Sequence, residues 1–212
     1  LFGTGKLISP GDRESEDVQT FYGIWDKPGE SNGLTGNFRG SGGPLVQQAI
    51  TAKSGDPATY FMTNHGVSYA AGQRGWFFDL GVVRDGSGAA TLVTPRERMV
   101  AAPVAFGQNL LAQTFVPSVD SCDLAGLSFL FRLDYLNGGF LGSGSFGSPQ
   151  SAAIAMPGSF GLLPFVERLA QGGDPRNRTG VVFGIGLSGE PSGRRVELGG
   201  FGAFRTWRQL LD

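Results

Sequence analysis

The 212 residues carry 17 Lys and Arg against 18 Asp and Glu, a net charge of −1, which leaves no electrostatic footprint for nucleic acid or an anionic membrane. An apolar share of 40% excludes a wholly disordered chain, and no stretch reaches the roughly 18 apolar residues of a spanning helix. The 36 glycines, more than twice the usual share of ~7%, disfavour helices at about 1 kcal/mol each relative to alanine, so the composition points to an all-β chain of short antiparallel strands joined by glycine-rich loops.

In chain order, the first predicted strand is "LFGTGKLI" (1–8), which lacks an initiator Met and reads as the interior of something longer. Within it Gly3-Thr4-Gly5-Lys6 resembles the tail of a phosphate-binding loop, but the upstream glycine is missing and Leu7 stands where Ser or Thr is required, so phosphate binding is rejected. Next comes the acidic run Asp12, Glu14, Glu16, Asp17. It spaces carboxylates like the start of a calcium loop yet lacks the glycine at the sixth position, and Gly23 occupies the place of the bidentate Glu at the twelfth; a solvated loop is expected. A strand ending at Asp26, "FYGIWDKPG", leads into the glycine-rich loop 29–44.

That loop closes on Ser41-Gly42-Gly43-Pro44, half of a serine-protease nucleophile motif. The Asp that should precede the serine is Gly40, and the single histidine, His65, follows 24 residues later, whereas a serine nucleophile needs an imidazole base and a third group to orient it. A flexible turn is the expectation for Ser41. His65 ends the strand-like run "ATYFMTNH" (58–65) and is expected at a turn or strand edge, with no clustered partners for a metal. Farther along lie "GWFFDLG" with Asp79, "NLLAQTFVP" (109–117) and "FLFRLDYLNGG" with Asp134. Between the last two is Cys122, alone in the chain and therefore unable to form an internal disulfide or to report the redox compartment. It is expected as a structural or buried thiol, or one whose partner lies outside the chain.

A second glycine-rich segment, 138–148, precedes "LLPFVERLAQGG" (162–173), where Leu162, Phe165, Val166 and Leu169 fall on one helical face before a glycine stop; the spacing predicts one short surface helix. Asn177-Arg178-Thr179 matches a glycosylation sequon, a pattern short enough to arise by chance. The final pair of predicted strands is "GVVFGIGL" (180–187) and "RRVELGG", with Glu197 in the place of the aspartate. The four acidic strand ends, Asp26, Asp79, Asp134 and Glu197, are separated by 53, 55 and 63 residues. A period near 50 with several strands per unit is what β-propeller blades show, because a blade cannot bury both faces alone. An aspartate after an apolar strand is also what any Asx turn requires.

Several segments taken in order resemble the C-terminal region of the PilC/PilY family of type IV pilus biogenesis proteins and tip adhesins. They are Phe2-Gly3-Thr4-Gly5-Lys6, Gln19-Thr20-Phe21-Tyr22-Gly23-Ile24-Trp25-Asp26 and Gly75-Trp76-Phe77-Phe78-Asp79-Leu80. With them go Phe115-Val116-Pro117-Ser118, Cys122, Gly126, Ser128, Leu130, Leu133-Asp134, Gly138-Gly139 and the closing Arg205-Thr206-Trp207-Arg208-Gln209-Leu210. The resemblance implies a fold of all-β class, the C-terminal three to four blades (1–212) of a modified β-propeller in a larger chain. That chain would be exported through the periplasm to the pilus tip or outer surface, with an adhesive N-terminal half that often includes a von Willebrand factor A-like domain.

It further implies a non-enzymatic structural and binding module. Its partners would be minor pilins of the pilus tip complex, the upstream segment of its own parent chain and a host or surface receptor. The family's calcium loop lies upstream and has no counterpart here, so no catalytic, cofactor or metal residue is expected in this chain. Phe129 stands where the family commonly has Trp, and Thr206 where it has Ser. Loops 29–44 and 138–148 are the candidate contact loops. The competing class is a quinoprotein-type dehydrogenase propeller, which also ends strands in Leu-Asp. After Leu133-Asp134, however, Phe140-Leu141-Gly142 follow in place of the docking tryptophan, and no adjacent cysteines or carboxylate-Asn cluster appear. A secreted serine hydrolase is the remaining alternative.

Overall fold

The computed structural model describes residues 1–27, 36–39, 42–119, 126–142, 144–157, 165–169, 179–185 and 191–197. The described chain is all-β apart from one helical turn and one 3₁₀ turn. In order it forms β1 (Phe2–Gly3), α1 (Pro10–Glu14), β2 (Thr20–Ile24), β3 (Leu45–Gln47), β4 (Ile50–Ser54), β5 (Thr59–Met62), the 3₁₀ turn Tyr69–Ala71, β6 (Gly75–Asp79), β7 (Val82–Arg84) and β8 (Ala90–Leu92). There follow β9 (Val104–Phe106), β10 (Asn109–Val116), β11 (Leu127–Asp134), β12 (Ser151–Pro157), β13 (Phe165–Leu169), β14 (Thr179–Ile185) and β15 (Pro191–Glu197).

Among the described residues these strands form three sheets. One has four strands in the order β1-β2-β6-β3, a second has eight in the order β8-β7-β4-β5-β12-β11-β10-β9, and β13-β14-β15 form a third. Pairing is antiparallel throughout except for β3 with β6 and β4 with β7. Three of the four strand pairs expected from the acidic-ended repeats do lie side by side: β1 with β2, β10 with β11 and β14 with β15. The pair around Asp79 does not. There β5 joins β4 and β12 in the eight-stranded sheet while β6 is taken between β2 and β3. Composition explains this: Gly-Trp-Phe-Phe-Asp is buried at every residue, which only an interior strand covered on both faces allows.

Two expectations need correction. Residues 165–169 form strand β13, paired with β14 from Phe165↔Phe183 to Leu169↔Thr179, where the sequence predicts a helix; the rest of the 162–173 segment lies outside the described residues. The acidic run is also more than a solvated loop. Asp12 is buried within the short helix α1, accepting hydrogen bonds from the Ile8 and Ser9 amides at 2.9 and 2.8 Å and facing Lys6 at 3.1 Å. Those two amides hold its carboxyl well below the usual carboxylate range. Glu14, Glu16 and Asp17 stay exposed, as a solvated run would.

The four- and eight-stranded sheets meet along an aromatic seam. Phe21 of β2 packs edge-on against Trp76 and Phe78 of β6, with ring centroids 5.2 and 5.7 Å away, and Phe78 continues to Phe131 of β11 at 5.5 Å. On the other side of the seam Tyr60 of β5 stacks on Phe129 at 4.3 Å. Trp76 is fully buried and has room because two glycines abut its indole: a Cβ at Gly23 of β2, or at Gly138 in the turn after β11, would overlap ring atoms. Gly138 also has φ +73, in the left-handed region that disfavours a side chain. Replacing Gly138→Ala should therefore destabilise the chain by about 2–4 kcal/mol, from strain plus overpacking. A urea midpoint unmoved from wild type would contradict this seating of Trp76.

Candidate functional site

Among the described residues an open apolar concavity lies where the end of β2 meets the turn that follows β11. β6 begins at Gly75, φ +138, where any Cβ would strike the Gly23 carbonyl, so the two strands run unusually close at this end. The Trp25 amide donates to the Arg74 carbonyl at 2.8 Å, fixing Trp25 just beyond the last β2 residue. Its ring stands at 86° to Tyr69, centroids 5.5 Å apart. The Tyr69 hydroxyl donates to the Leu136 carbonyl at 2.6 Å, and the Trp76 indole N–H to the Tyr135 carbonyl at 3.0 Å.

These bonds hold together an apolar groove of about 340 Å³ lined by Leu1, Gly23, Ile24, Trp25, Tyr69, Trp76, Tyr135 and Leu136. Four of these side chains keep much of their surface in solvent: Leu1 45%, Trp25 40%, Tyr135 38% and Leu136 41%. Exposed large apolar groups that share one concavity mark contact surfaces more often than scattered ones do. Burial, and then the Asp134 charge, raises the pKa of the Tyr69 phenol, so it stays a neutral donor. Lys27 and Arg74 lie over the Trp25 ring at 6.0 and 5.8 Å, giving the groove a cationic shoulder.

Behind the groove, Gln48 acts as a polar hub. It is fully buried, and its amide N–H groups donate to the carbonyls of His65 and Asn137 at 2.7 and 2.8 Å. Its oxygen accepts from the Thr63 hydroxyl at 2.7 Å and the His65 amide at 3.0 Å. One side chain thus ties the 63–65 segment to the turn that carries Tyr135 and Leu136. Asn137 adds a bond to Asn64 at 2.8 Å.

The residues singled out in the sequence are distributed as follows. His65 is exposed in the irregular connection that follows β5, held through its backbone by Gln48; a turn or strand edge is the sequence expectation for it. Ser41, Gly40, Cys122 and the sequon residues Asn177 and Arg178 lie outside the described residues. Gly42 has φ +79, and Pro44 leads into edge strand β3, its carbonyl accepting from the Arg74 amide at 2.8 Å; the described part of this stretch is a tight turn. Of the acidic strand ends, Asp134 forms the Asx turn, accepting from the Leu136 amide at 2.9 Å. Asp26 is exposed.

Asp79 does something else. Almost buried, it takes a hydrogen bond from the Thr20 hydroxyl at 2.8 Å, an ion pair with Arg39 and another with Arg84 at 3.1 Å. Arg39 also lies over the Phe77 ring at 4.6 Å, pinning the described end of loop 29–44 across β6. Of the two predicted contact loops, the first starts just past Trp25 and Lys27 and the second just past Tyr135 and Leu136, so one groove sits at the root of both. Sequence reasoning did not find the groove or Gln48; the only local signal was the clustering of Trp25, Tyr135 and Leu136 beside glycine-rich segments. Among the described residues no three His, Cys, Asp or Glu side chains converge to hold a metal ion.

Gln48→Leu keeps the volume but takes the Gln48 amide away from the part-buried His65 amide and the His65 and Asn137 carbonyls, each at a fraction of the about 1–3 kcal/mol that a fully buried unpaired group costs. A loss of about 2–4 kcal/mol is expected in urea unfolding, together with faster hydrogen exchange at the His65 amide; wild-type exchange there would show that Gln48 is not the hub.

No family model matches this chain, and no solved structure matches it. Among curated proteins, a type IV pilus biogenesis factor PilY1 homologue of Xylella fastidiosa (strain Temecula1) is 30% identical over 149 residues, covering 65% of this chain and 9% of its own length. PilY1 of Pseudomonas aeruginosa (strain PAO1) is 27% identical over 154 residues, 66% of this chain and 12% of that protein. A second Xylella fastidiosa PilY1 homologue is 27% identical over 143 residues, 67% of this chain and 10% of its own length. The match thus spans about a tenth of the length of these relatives.

Proposed function

The chain is PilY1-like, and from that premise we infer that it serves type IV pilus biogenesis as a non-enzymatic binding module of a longer, exported protein. Its task in this reading is to hold shape while a pilus component, a minor pilin by the logic of the family, docks on the groove between Trp25 and Leu136. The relatives' shared name supports the pilus role. The groove supports the mode of action, because a half-exposed aromatic and aliphatic cluster on a hydrogen-bonded frame is preorganised for a partner and loses little further freedom on binding.

Presentation at the pilus tip, adhesion to a surface and completion of a modified β-propeller by other parts of a longer chain belong to the same proposal. A near-neutral charge of −1 fits a contact governed by shape and apolar burial more than by long-range steering.

A photo-crosslinking residue placed at Leu136 of the full-length parent should capture a minor pilin, whereas one at Ala90, exposed on strand β8 at the far edge of the eight-stranded sheet, should not. Equal capture at both positions, or none at Leu136, would refute docking at the groove. The paired change Trp25→Ala with Leu136→Ser should leave the unfolding midpoint within about 1 kcal/mol of wild type, since exposed side chains are removed, yet weaken pilin binding about tenfold or more. Dye-coupled turnover on addition of pyrroloquinoline quinone and calcium would instead establish the dehydrogenase alternative.

A further inference from the structure

Away from the groove, the segment 94–99 carries a carboxyl group that the contact function does not use. Glu97 is only 2% exposed. One carboxylate oxygen faces the Tyr60 hydroxyl of β5 at 2.6 Å, the other the Thr114 hydroxyl of β10 at 2.6 Å. The Tyr60 oxygen is also 2.6 Å from the Thr94 hydroxyl, which in turn accepts from the Lys53 ammonium of β4 at 2.9 Å. Arg96, in the left-handed region at φ 66, makes the kink that turns Glu97 inward, a conformation that disfavours residues with side chains.

The charged and titratable groups facing the carboxyl are therefore Lys53 from β4 and Tyr60 from β5; β10 contributes only the Thr114 hydroxyl. On its own segment Arg96 is engaged with Glu16 at 3.0 Å, and the Arg98 guanidinium points to other carbonyls. Burial outweighs the hydroxyl donors and Lys53, and pushes the Glu97 pKa up to about 7.

The neighbours of Glu97 give this group a reach beyond its own seat. Arg98 is 2% exposed and donates to the carbonyls of Lys6 and Ser15 at 2.8 and 2.9 Å. Its backbone exchanges hydrogen bonds with Phe115 at 2.9 and 2.8 Å. Met99 donates to the Thr4 carbonyl at 3.3 Å, and its side chain fills the space where a Cβ on Gly3 would stand. The segment 94–99 therefore clamps the N-terminal run 3–16 to the eight-stranded sheet, with Glu97 as the buried peg between two strands of that sheet.

We propose that residues 94–99 form a proton-operated clasp: while Glu97 keeps its proton the peg stays seated and the N-terminal run is held down, and loss of that proton loosens both together. The sign follows from the direction of the shift. A carboxyl whose folded pKa lies above its unfolded value favours the closed state at low pH, and that contribution is lost as pH rises through the folded pKa. Local opening exposes Glu97 to water and lowers its pKa toward the ordinary value near 4.3. From pH 6 to pH 8.5 the open population should grow about tenfold.

Hydrogen exchange of peptides covering 4–15, corrected for the intrinsic pH dependence of exchange, reads this directly. Wild type should lose protection about tenfold across that interval, and Glu97→Gln, which cannot ionise, should show a flat profile. Unchanged wild-type protection, or the same slope in Glu97→Gln, overturns the clasp. Should Glu97→Gln not fold, carbon-13 titration of the wild-type Glu97 carboxyl decides. Its midpoint must coincide with that of the loosening of 4–15, and a carboxyl titrating near 4 or a loosening with another midpoint refutes the proposal.

Discussion

The seating of Trp76 between two glycines is the constraint from which the rest of the architecture follows. The indole reaches from β6 toward the turn after β11, so that it abuts Gly23 in the four-stranded sheet and Gly138 in the turn that leaves β11 of the eight-stranded sheet. Its N–H is spent on the Tyr135 carbonyl, which a buried indole requires. Because the same ring is the floor of the groove, the angle between the sheets and the shape of the exposed surface are fixed by one contact. Phe21, Phe78 and Phe131 extend that contact into a continuous seam, and edge-on and tilted rings of this kind add to their burial about 0.5–1.5 kcal/mol per pair.

Polar groups complete what the aromatics begin. Gln48 satisfies both hydrogens and both lone-pair directions of its amide inside the protein, and a fully satisfied buried network specifies one arrangement because every alternative leaves a group unpaired. Asp79 plays a similar part on the other face of β6, where two arginines from separate segments share its carboxylate. The platform thus owes its stability to apolar burial and its uniqueness to a few buried polar residues. Glu97 belongs to the second class but differs in one respect: in the proposed clasp its seat is favoured by a bound proton.

Legibility in the sequence divided along the same line. Strands β2, β6, β10, β11, β14 and β15 could be read because apolar β-formers between glycine turns leave few options, and the turn at Asp134 could be read because an Asx turn is local chemistry. The five residues of β13 fit either period, with Phe165, Val166 and Leu169 marking a helical face as readily as a strand, and pairing with β14 decided the matter. Asp79 looked like a third turn residue; only the non-local approach of Arg39 and Arg84 makes it an ion-pair centre. Parallel pairing of β3 with β6 joins residues about 30 apart and leaves no local trace. Thr94-Pro95-Arg96-Glu97-Arg98 draws no reading from the sequence, since nothing in four polar residues and a proline announces that two of the charges are buried.

In the proposed reading, a net charge of −1 supplies little long-range steering toward a partner, and recognition rests on surface that is apolar yet soluble. The groove meets both demands through its geometry. Trp25, Tyr135 and Leu136 are each only partly exposed, so the free protein shows water a modest apolar area, while a complementary side chain entering between them would remove the rest of it together. Because Tyr69, Trp76 and Gln48 already hold the walls through hydrogen bonds, little ordering entropy remains to be lost on contact. The glycine-rich loops rooted at either side can differ in sequence beyond their anchoring residues; Gly138, against the Trp76 indole, and Arg39, paired with Asp79, are the positions at which they carry the floor.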